Sequence, residues 1–279
     1  MPISLLRDTL TRLLRHPLMR GRDLDDPETT ELRKQILDTN PFLRRVYRAW
    51  YEALRECLPA RSGRVLELGS GAGSLEEHIP GVIKSDVLPL SGIHVVLNAE
   101  HLPFAAGSLG AIVLNNVLHH FRDVRRFFRD AARCVRPGGV LAMNEPWVSA
   151  WSRFVYGALH HEPFDPRAAA WEIPPGGPLS GANSALPWIV FARDRSAFEG
   201  DFPVWRISRI RPWMPFQYLV SGGFTLRPMM PGWAYAVWVW FENFLRRWAP
   251  SLAMFAVIRL ERRDVLAPNE AARSGGYGL

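Results

Sequence analysis

The sequence predicts an α/β fold in which helices flank a mostly parallel β-sheet. Three observations lead to this prediction. Short apolar segments alternate with helical segments between residues 64 and 144. A glycine-rich turn directly follows the first apolar segment, and the second apolar segment ends in an acid, Asp86. Because parallel sheets bind ligands at the carboxyl ends of their strands, we expect a binding site at that edge.

Five strands form the predicted core. They are expected at residues 64–68, 82–86, 93–97, 111–115 and 140–144, with a brief helix to about residue 79 and a longer helix over 123–135. The link between the glycine turn and Asp86 is short, so we expect a stunted helix within it. A helix over 232–248 and a strand over 252–260 are predicted to return to this sheet.

An N-terminal helical extension is predicted to precede the core. Apolar residues among the first 14 positions fall on one helical face, with arginines elsewhere around the helix. We interpret residues 1–20 as a lid or brace on the main domain, and the alternative is a contact with an anionic membrane surface. A second helical stretch covers residues 28–57, and Pro41 is predicted to kink or divide it.

The character of the chain changes after Pro146. Only Trp50 of the 11 tryptophans precedes this point, and proline and glycine are dense from residue 163 to residue 231. The predicted organisation is a helical lid over residues 1–60, a core over 61–146, an irregular substrate-specificity insertion over 147–231, a helix and strand completing the core over 232–262, and a flexible tail over 263–279.

Composition restricts the expected partners. The net charge is +7, and Lys34 and Lys84 are the only lysines among the basic residues. Because no long basic run interleaves with aromatic residues, no nucleic-acid partner is expected. Cys57 and Cys134 lie far apart and fit neither a disulfide framework nor a metal pair. We therefore expect a cytoplasmic protein, with association at the inner membrane face as the alternative. Nothing in the composition predicts an oligomeric state.

The glycine turn reads Glu67-Leu68-Gly69-Ser70-Gly71-Ala72-Gly73. Its third glycine arrives one residue too early for a dinucleotide fingerprint, and it lacks the lysine of a phosphate-binding loop. Glu67 at the strand end would repel a phosphate, whereas its carboxylate can accept hydrogen bonds from an ammonium group. The turn therefore favours a ligand with a positively charged amino-acid end.

This motif resembles the first motif of the class I S-adenosylmethionine-dependent methyltransferases, in which an acid precedes G-x-G-x-G. Two later segments extend the resemblance: "NAEHLPF" from Asn98 is similar to the family's adenine-pocket segment, and "RCVRPGGVLAMNEP" to the segment that leads into its fifth strand. Gly110 departs from the family, which frequently has aspartate there. The likeness spans residues 63–146 and implies a Rossmann-like core with S-adenosylmethionine as cofactor.

The resemblance also implies which residues contact the cofactor. Glu67 would hold the methionine part, Asp86 the ribose hydroxyls, and the amide oxygen of Asn98 the adenine amino group. The full set of implied cofactor-binding residues is Glu67, Gly69, Ser70, Gly71, Gly73, Asp86, Val87, Asn98, Ala99, Glu100, Asn115 and Val117.

Two groups of residues are candidates for catalysis. His119 and His120 follow the fourth strand, and Glu145 follows the fifth, all near the expected methyl-donor end. The alternative is a structural role for the histidine pair, and for Glu145 capping or salt-bridging of the nearby backbone. A second cluster over residues 159–166 contains His160, His161, Glu162 and Asp165. It suits a general base with an orienting acid, but a polar surface loop remains an alternative. Its spacing matches no metal signature, so no metal is predicted.

These features predict a methyltransferase acting on a small-molecule acceptor, with methylation at oxygen favoured. A natural product, a quinone-like lipid and an envelope glycan all remain open as acceptors. The alternatives are a catalytically silent S-adenosylmethionine-binding assembly protein and an RNA methyltransferase. Aromatic residues expected to line the acceptor pocket or the core beneath it are Trp147, Trp151, Tyr156, Trp171, Trp188, Phe191, Trp213, Phe216 and Tyr218.

Overall fold

One seven-stranded sheet organises the computed structural model, which describes residues 14–158, 162–173 and 176–264. The strands are β1 (Val65–Leu68), β2 (Ile83–Asp86), β3 (Val95–Val96), β4 (Leu109–Asn115), β5 (Val135–Pro146), β6 (Trp205–Trp213) and β7 (Phe255–Arg262). Their spatial order is β3-β2-β1-β4-β5-β7-β6. The first five strands pair in parallel, and β7 is antiparallel to both β5 and β6. The predicted α/β fold with a mostly parallel sheet is confirmed.

Helices cover both faces of the sheet. They are α1 (Pro27–Thr39), α2 (Pro41–Arg55), α3 (Val124–Cys134), α4 (Ala150–Ala158), α5 (Leu186–Trp188), α6 (Arg195–Asp201), α7 (Gln217–Ser221), α8 (Tyr235–Phe244) and α9 (Ala249–Leu252). Asn40 separates α1 from α2, and its side chain accepts the backbone N–H of Leu43, so Pro41 divides the helical stretch as predicted. None of the helices in the described ranges has the length and apolar character needed to cross a bilayer.

The central strand β4 shows why the core forms here. Its first six residues are buried, as expected for a parallel strand covered on both faces. Ile112 and Leu114 pack into the larger hydrophobic cluster, which includes α3. Ala111 and Val113 point to the opposite face, where Leu54 of α2 lies. The two helical layers therefore fix both faces of the strands that end at the glycine turn.

Two details of the sheet explain features of the sequence. A Cβ atom on Gly110 would collide with the carbonyl oxygen of Ser62, so the aspartate frequent in the resembling family has no room at this position. After the glycine turn the chain forms only a 3₁₀ turn, Leu75–Glu77, which confirms the expected stunted helix.

The strand β6 is a correction to the sequence prediction, which expects only irregular structure in this part of the chain. β6 forms one edge of the sheet and pairs along its length with β7. Three arginines, a proline and a register shift next to Ile207 interrupt its apolar pattern. Such features are tolerated on an edge strand, whose outer side needs no hydrogen-bonding partner.

Candidate active site

A cavity of about 530 Å³ lies at the carboxyl ends of β1, β2 and β4. Its volume falls within the range of small-molecule sites. All twelve residues predicted to contact the cofactor line this one cavity, as do His119 and His120. Their roles as cofactor contacts remain predictions, but the fold brings them together from a span of about fifty residues.

The three glycines of the turn differ in what they do. Gly69 has φ of +66°, and a Cβ there would lie 2.6 Å from the side chain of Val117. Gly73 leaves room for the hydroxyl of Tyr51. Gly71 has φ of +49° and open space where a side chain would begin. Gly69 and Gly73 therefore permit close packing, whereas Gly71 keeps the wall of the cavity open.

Glu67 is buried beneath this turn. Its side chain accepts a hydrogen bond of 2.7 Å from the Ser70 hydroxyl. Burial raises the pKa of Glu67 to about 7. Within the described part of the chain, no basic side chain forms an ion pair with it. A buried carboxylate with such a pKa gains stability from a cationic ligand, which agrees with the predicted contact to an ammonium group.

Asp86 connects the glycine turn to the end of β2. One carboxylate oxygen accepts the backbone N–H of Gly71 at 2.9 Å, and the other accepts that of Leu88 at 3.0 Å. Burial raises the pKa of Asp86 above its usual range. Each carboxylate oxygen has a second lone pair, so Asp86 retains the capacity to accept hydrogen bonds from two hydroxyl groups.

The adjacent residue Asn116 escaped the sequence prediction. It lines the cavity between Asn115 and Val117 and has φ of +60°, a conformation that asparagine adopts more readily than most residues. The only available signal is the asparagine pair at the end of a predicted strand. Backbone conformations of this kind concentrate at ligand sites.

His119 lies between two carboxylates at the other end of the cavity. Its Nδ1 is 2.8 Å from Oε2 of Glu145, and its Nε2 is 3.4 Å from Oε2 of Glu162. Burial lowers the pKa of His119, but the hydrogen bonds to the two carboxylates outweigh it and raise the pKa to about 9. His119 is therefore protonated at neutral pH and donates to both acids.

His120 has the opposite character. Burial and the neighbouring charge of His119 lower the pKa of His120 to about 4. Its Nδ1 is 3.0 Å from the carbonyl oxygen of Gly181, and because a carbonyl only accepts, this nitrogen carries the proton. His119, His120 and Glu162 offer atoms within 4.8 Å of one another, a spacing that suits a metal ion. A metal ion there would have to displace the proton of His119, because only the neutral imidazole binds a metal.

The remaining catalytic candidates are dispersed. Glu145 is fully buried behind His119 and does not line the cavity; it accepts the backbone N–H groups of Val117 and Leu118, each at 2.9 Å. His160 and His161 lie outside the described residues, so their catalytic role stays a prediction. From the same segment, Glu162 lines the cavity, whereas Asp165 is exposed.

Most aromatic residues of the second half of the chain pack into the core. Of the nine singled out in the sequence, only Tyr156 and Tyr218 line the cavity. Phe191, for example, packs against Phe128 and Phe198. The other aromatic residues of the cavity wall were missed by sequence reasoning: Tyr47, Tyr51, Phe121, Phe224 and Phe255.

Helix α1 adds two polar groups that the sequence did not indicate. Thr30 and Arg33, one helical turn apart, both line the cavity. The Thr30 hydroxyl and Nε of Arg33 are buried, and neither has a hydrogen-bonding partner among the residues that the structure describes. Unpaired buried polar atoms are rare, so their position in a cavity indicates a ligand atom that accepts hydrogen bonds.

Comparison with known proteins identifies the core. A family profile described as a methyltransferase domain matches residues 66–143. Residues 66–143 are thus similar to a methyltransferase domain. Over 140 residues it is 29% identical to the ubiquinone/menaquinone biosynthesis C-methyltransferase UbiE of Vibrio campbellii, covering 40% of this chain and 54% of that relative. The chain thus spans about half the length of the curated relative it matches.

Two solved structures are similar to this chain at low sequence identity. A protein assigned as a methyltransferase, in complex with the Trm112 methyltransferase activator of Haloferax volcanii, is 12% identical, with a TM-score of 0.50 over 87% of this chain and 99% of that one. The geranyl diphosphate C-methyltransferase of Streptomyces coelicolor A3(2) is 14% identical, with a TM-score of 0.46 over 94% and 100% of the two chains.

The cavity fits S-adenosylmethionine, the cofactor that the resemblance to these methyltransferases implies. Gly71 leaves an open wall at the glycine turn. Beside it lies Glu67, a buried acid suited to the ammonium end of the cofactor, and Asp86 presents acceptors at the end of β2. Leu97 and Ala99 add apolar surface next to Asn98, where an adenine ring would lie according to the family resemblance.

Proposed function

We propose that this protein transfers the methyl group of S-adenosylmethionine to a hydroxyl oxygen of a small aromatic or quinone-like acceptor. Bound S-adenosylmethionine supplies an electrophilic methyl group on sulfur, which a nucleophile takes by in-line displacement while the thioether leaves. The observation that carries the proposal is a cavity that extends from the glycine turn to His119 and Glu162.

Glu162 is the residue best suited to accept the proton of the acceptor hydroxyl. It lines the cavity, and its carboxylate accepts a hydrogen bond of 3.1 Å from the hydroxyl of Ser184. Of the two histidines nearby, His119 already carries its proton, and His120, with a pKa of about 4, is a weak base. A carboxylate at hydrogen-bonding distance from a hydroxyl acceptor would remove the proton as the oxygen attacks.

His119 and Glu145 would position this base. The protonated His119 directs a positive charge at Glu162, while Glu145 balances that charge from the side away from the cavity. Glu145 also fixes the backbone of residues 117–118, which form the adjacent cavity wall. His119 and Glu145 would therefore hold the base Glu162 in one orientation, as positional catalysis requires.

The surroundings of the base favour an aromatic acceptor with a further polar group. Tyr156, Tyr218 and Phe255 form an apolar wall on which a planar ring would pack. Thr30 and Arg33 would donate hydrogen bonds to a carbonyl, carboxylate or second hydroxyl oxygen of the acceptor. A quinol ring has this combination of features, and the related UbiE is a C-methyltransferase of ubiquinone and menaquinone biosynthesis.

The proposal is tested by incubating the protein with methyl-labelled S-adenosylmethionine and a panel of phenols, hydroquinones and prenylated quinols. We expect label in a methyl ether of one acceptor class, identified by mass spectrometry and NMR. Label on a ring carbon would replace oxygen by carbon as the acceptor atom. Tight cofactor binding without transfer to any acceptor would instead favour the silent binding protein.

A matched pair of variants tests the role of Glu162. Glu162→Gln should lower turnover by about 100-fold or more, while the dissociation constant of S-adenosylmethionine stays unchanged. Asp165→Asn removes an exposed carboxylate three residues away and should leave turnover unchanged. Equal rates for the two variants would contradict the assignment of Glu162 as the base.

A further inference from the structure

Helix α8 and the 3₁₀ turn that leads into it, Gly232–Ala234, carry a row of large apolar side chains on the outside of the molecule. Trp233, Val237, Trp240 and Phe244 are 75%, 57%, 70% and 63% exposed. They are separated by four, three and four residues, which places them on one face of a helix. Trp248, 39% exposed, continues the row beyond the end of α8. We call these five residues the tryptophan face.

The opposite side of α8 already contacts the protein. Trp238 and Phe241 pack against Phe216, with ring centroids 6.1 and 5.9 Å apart. Glu242 also points inward, where it accepts the backbone N–H groups of Phe216 and Gln217. A helix that is apolar on every side is normally covered on every side, yet no residue of α8 is buried. The tryptophan face therefore indicates a missing partner.

The charges around this face are positive. Between residues 228 and 252, Glu242 is the sole acid, and its carboxylate is engaged inside the protein. Arg246 and Arg247 are exposed at the end of α8, next to Trp248. On the neighbouring helix α2, Arg45 lies over the ring of Tyr235. The nearby acid on α2, Glu52, is itself paired with Arg48 at 3.6 Å.

A second copy of the chain is a poor match for this surface. In a two-fold symmetric dimer the same patch would occupy both sides of the interface. Any such dimer that brings the carboxyl ends of the two α8 helices together would place Arg246 and Arg247 of one copy against those of the other, with no exposed acid on α8 to separate them. An anionic lipid surface, by contrast, accepts both exposed tryptophans and arginines, because aromatic rings lie at the headgroup level and arginines bind lipid phosphates.

We propose that the tryptophan face docks the protein onto an anionic lipid bilayer. Trp233, Trp240 and Phe244 would enter the headgroup region with α8 parallel to the membrane, and Arg246 and Arg247 would bind anionic headgroups. This surface is distinct from residues 1–20, the segment for which the sequence suggested a membrane contact. The inference does not depend on methyl transfer, since it concerns the outer surface of α8.

Docking here would also bring the membrane close to the cavity. Glu242 of α8 binds the first turn of α7, and Tyr218 on α7 lines the cavity. Phe154 of α4, 60% exposed, extends the apolar surface through Trp151, whose ring is 5.4 Å from that of Phe216. An apolar acceptor dissolved in the bilayer would thus be held near the site.

The test is flotation of the full-length protein with vesicles of phosphatidylcholine alone and of phosphatidylcholine with phosphatidylglycerol. We expect binding to the anionic vesicles and a drop of about tenfold for Trp233→Ala/Trp240→Ala. Arg246→Gln/Arg247→Gln should retain the apolar contact but lose the preference for anionic lipid. Cofactor affinity, measured by calorimetry, should be unchanged in both variants and so report that they are folded.

Two control variants test whether the loss of any exposed apolar residue or any two exposed arginines has the same effect as changes in the tryptophan face. Val96→Ala changes a residue that is 55% exposed on the edge strand β3, and Arg129→Gln/Arg195→Gln removes two exposed arginines elsewhere. Both should bind vesicles like the unaltered protein. Absence of vesicle binding, or full binding by the tryptophan variant, would overturn the proposal. The proposal would also be overturned if light scattering showed a dimer and Trp233→Ala/Trp240→Ala dissociated it, because the tryptophan face would then bind a second copy of the chain.

Discussion

His119 and Glu145 form a buried pair in which Nδ1 and Oε2 are 2.8 Å apart, and both side chains are withdrawn from solvent. Glu145 also accepts two backbone N–H groups, so one carboxylate supports both the imidazolium and the loop before it. We predict that Glu145→Gln lowers the free energy of unfolding by about 3 kcal/mol, because it leaves the charge of His119 uncompensated on that side. Urea unfolding measures this, with the exposed Glu199→Gln as a control that should change stability by less than about 1 kcal/mol.

The same pair predicts how stability depends on alkaline pH. The pKa of His119 rises from 6.5 in the unfolded chain to about 9 in the fold, so its stabilising contribution is complete below pH 6.5 and disappears as the pH rises through 9. We therefore expect the free energy of unfolding to fall between these values. His119→Asn should flatten this part of the profile. An identical profile for the variant would show that His119 does not carry the charge.

Gly71 should be essential for cofactor binding because it has no side chain, and not only because it adopts a positive φ. We expect Gly71→Val to abolish S-adenosylmethionine binding in a folded protein, since the side chain enters the open wall of the cavity. Gly81→Val is a matched control, because Gly81 also has positive φ, at +76°, and nothing lies within 4 Å of its Cβ position. Calorimetry should show normal affinity for this control, with a comparable loss of stability of about 1–2 kcal/mol in both variants.

Cofactor affinity should depend on the ionisation of Glu67. With its pKa at about 7, Glu67 is largely neutral at pH 6 and ionised at pH 8. If the carboxylate binds the ammonium end of the cofactor, the affinity weakens by up to about tenfold for each pH unit below 7. Glu67→Ala should abolish binding, and Glu67→Gln should bind weakly without this pH dependence. Calorimetry from pH 6 to pH 8, in buffers of different ionisation enthalpy, measures both the affinity and the number of protons released on binding. An affinity that does not change with pH, with no proton released at pH 6, would contradict this role of Glu67.

Thr30 should contribute to ligand binding and not to the stability of the fold. Its buried hydroxyl has no hydrogen-bonding partner within the described ranges, so Thr30→Val should leave the free energy of unfolding unchanged or raise it by up to about 1 kcal/mol. The neighbouring Thr29→Val removes a hydroxyl that donates to the carbonyl of Asp23 and should destabilise the protein by about 1 kcal/mol. In kinetic assays Thr30→Val should raise KM for the acceptor. A destabilised Thr30→Val with unaltered KM would show a structural role instead.

The residues at the cofactor end of the cavity could be predicted from the sequence because they belong to short, consecutive segments of the chain. Gly71 lies in a turn next to the strand that carries Glu67, and Asp86 ends the next strand, so strand order alone brings them to one edge. The edge strand β6 was missed because burial on one side only leaves a weak apolar pattern. The aromatic residues after Pro146 were harder still, since a buried tryptophan and a cavity-lining one have the same sequence signature.

By itself, then, the sequence determined the α/β sheet, the glycine turn and the acids at the strand ends, because these depend on residue type and spacing along a short stretch. The tertiary structure alone decided the acceptor end. Glu145 on β5 and Glu162 beyond α4 meet across His119, and this contact, together with burial, sets the charge of the imidazole. It also decided that Thr30 and Arg33 face the cavity and that the tryptophan face is left exposed by the part of the chain that the structure describes. Such properties depend on which distant residues surround a side chain, and only the folded chain specifies that.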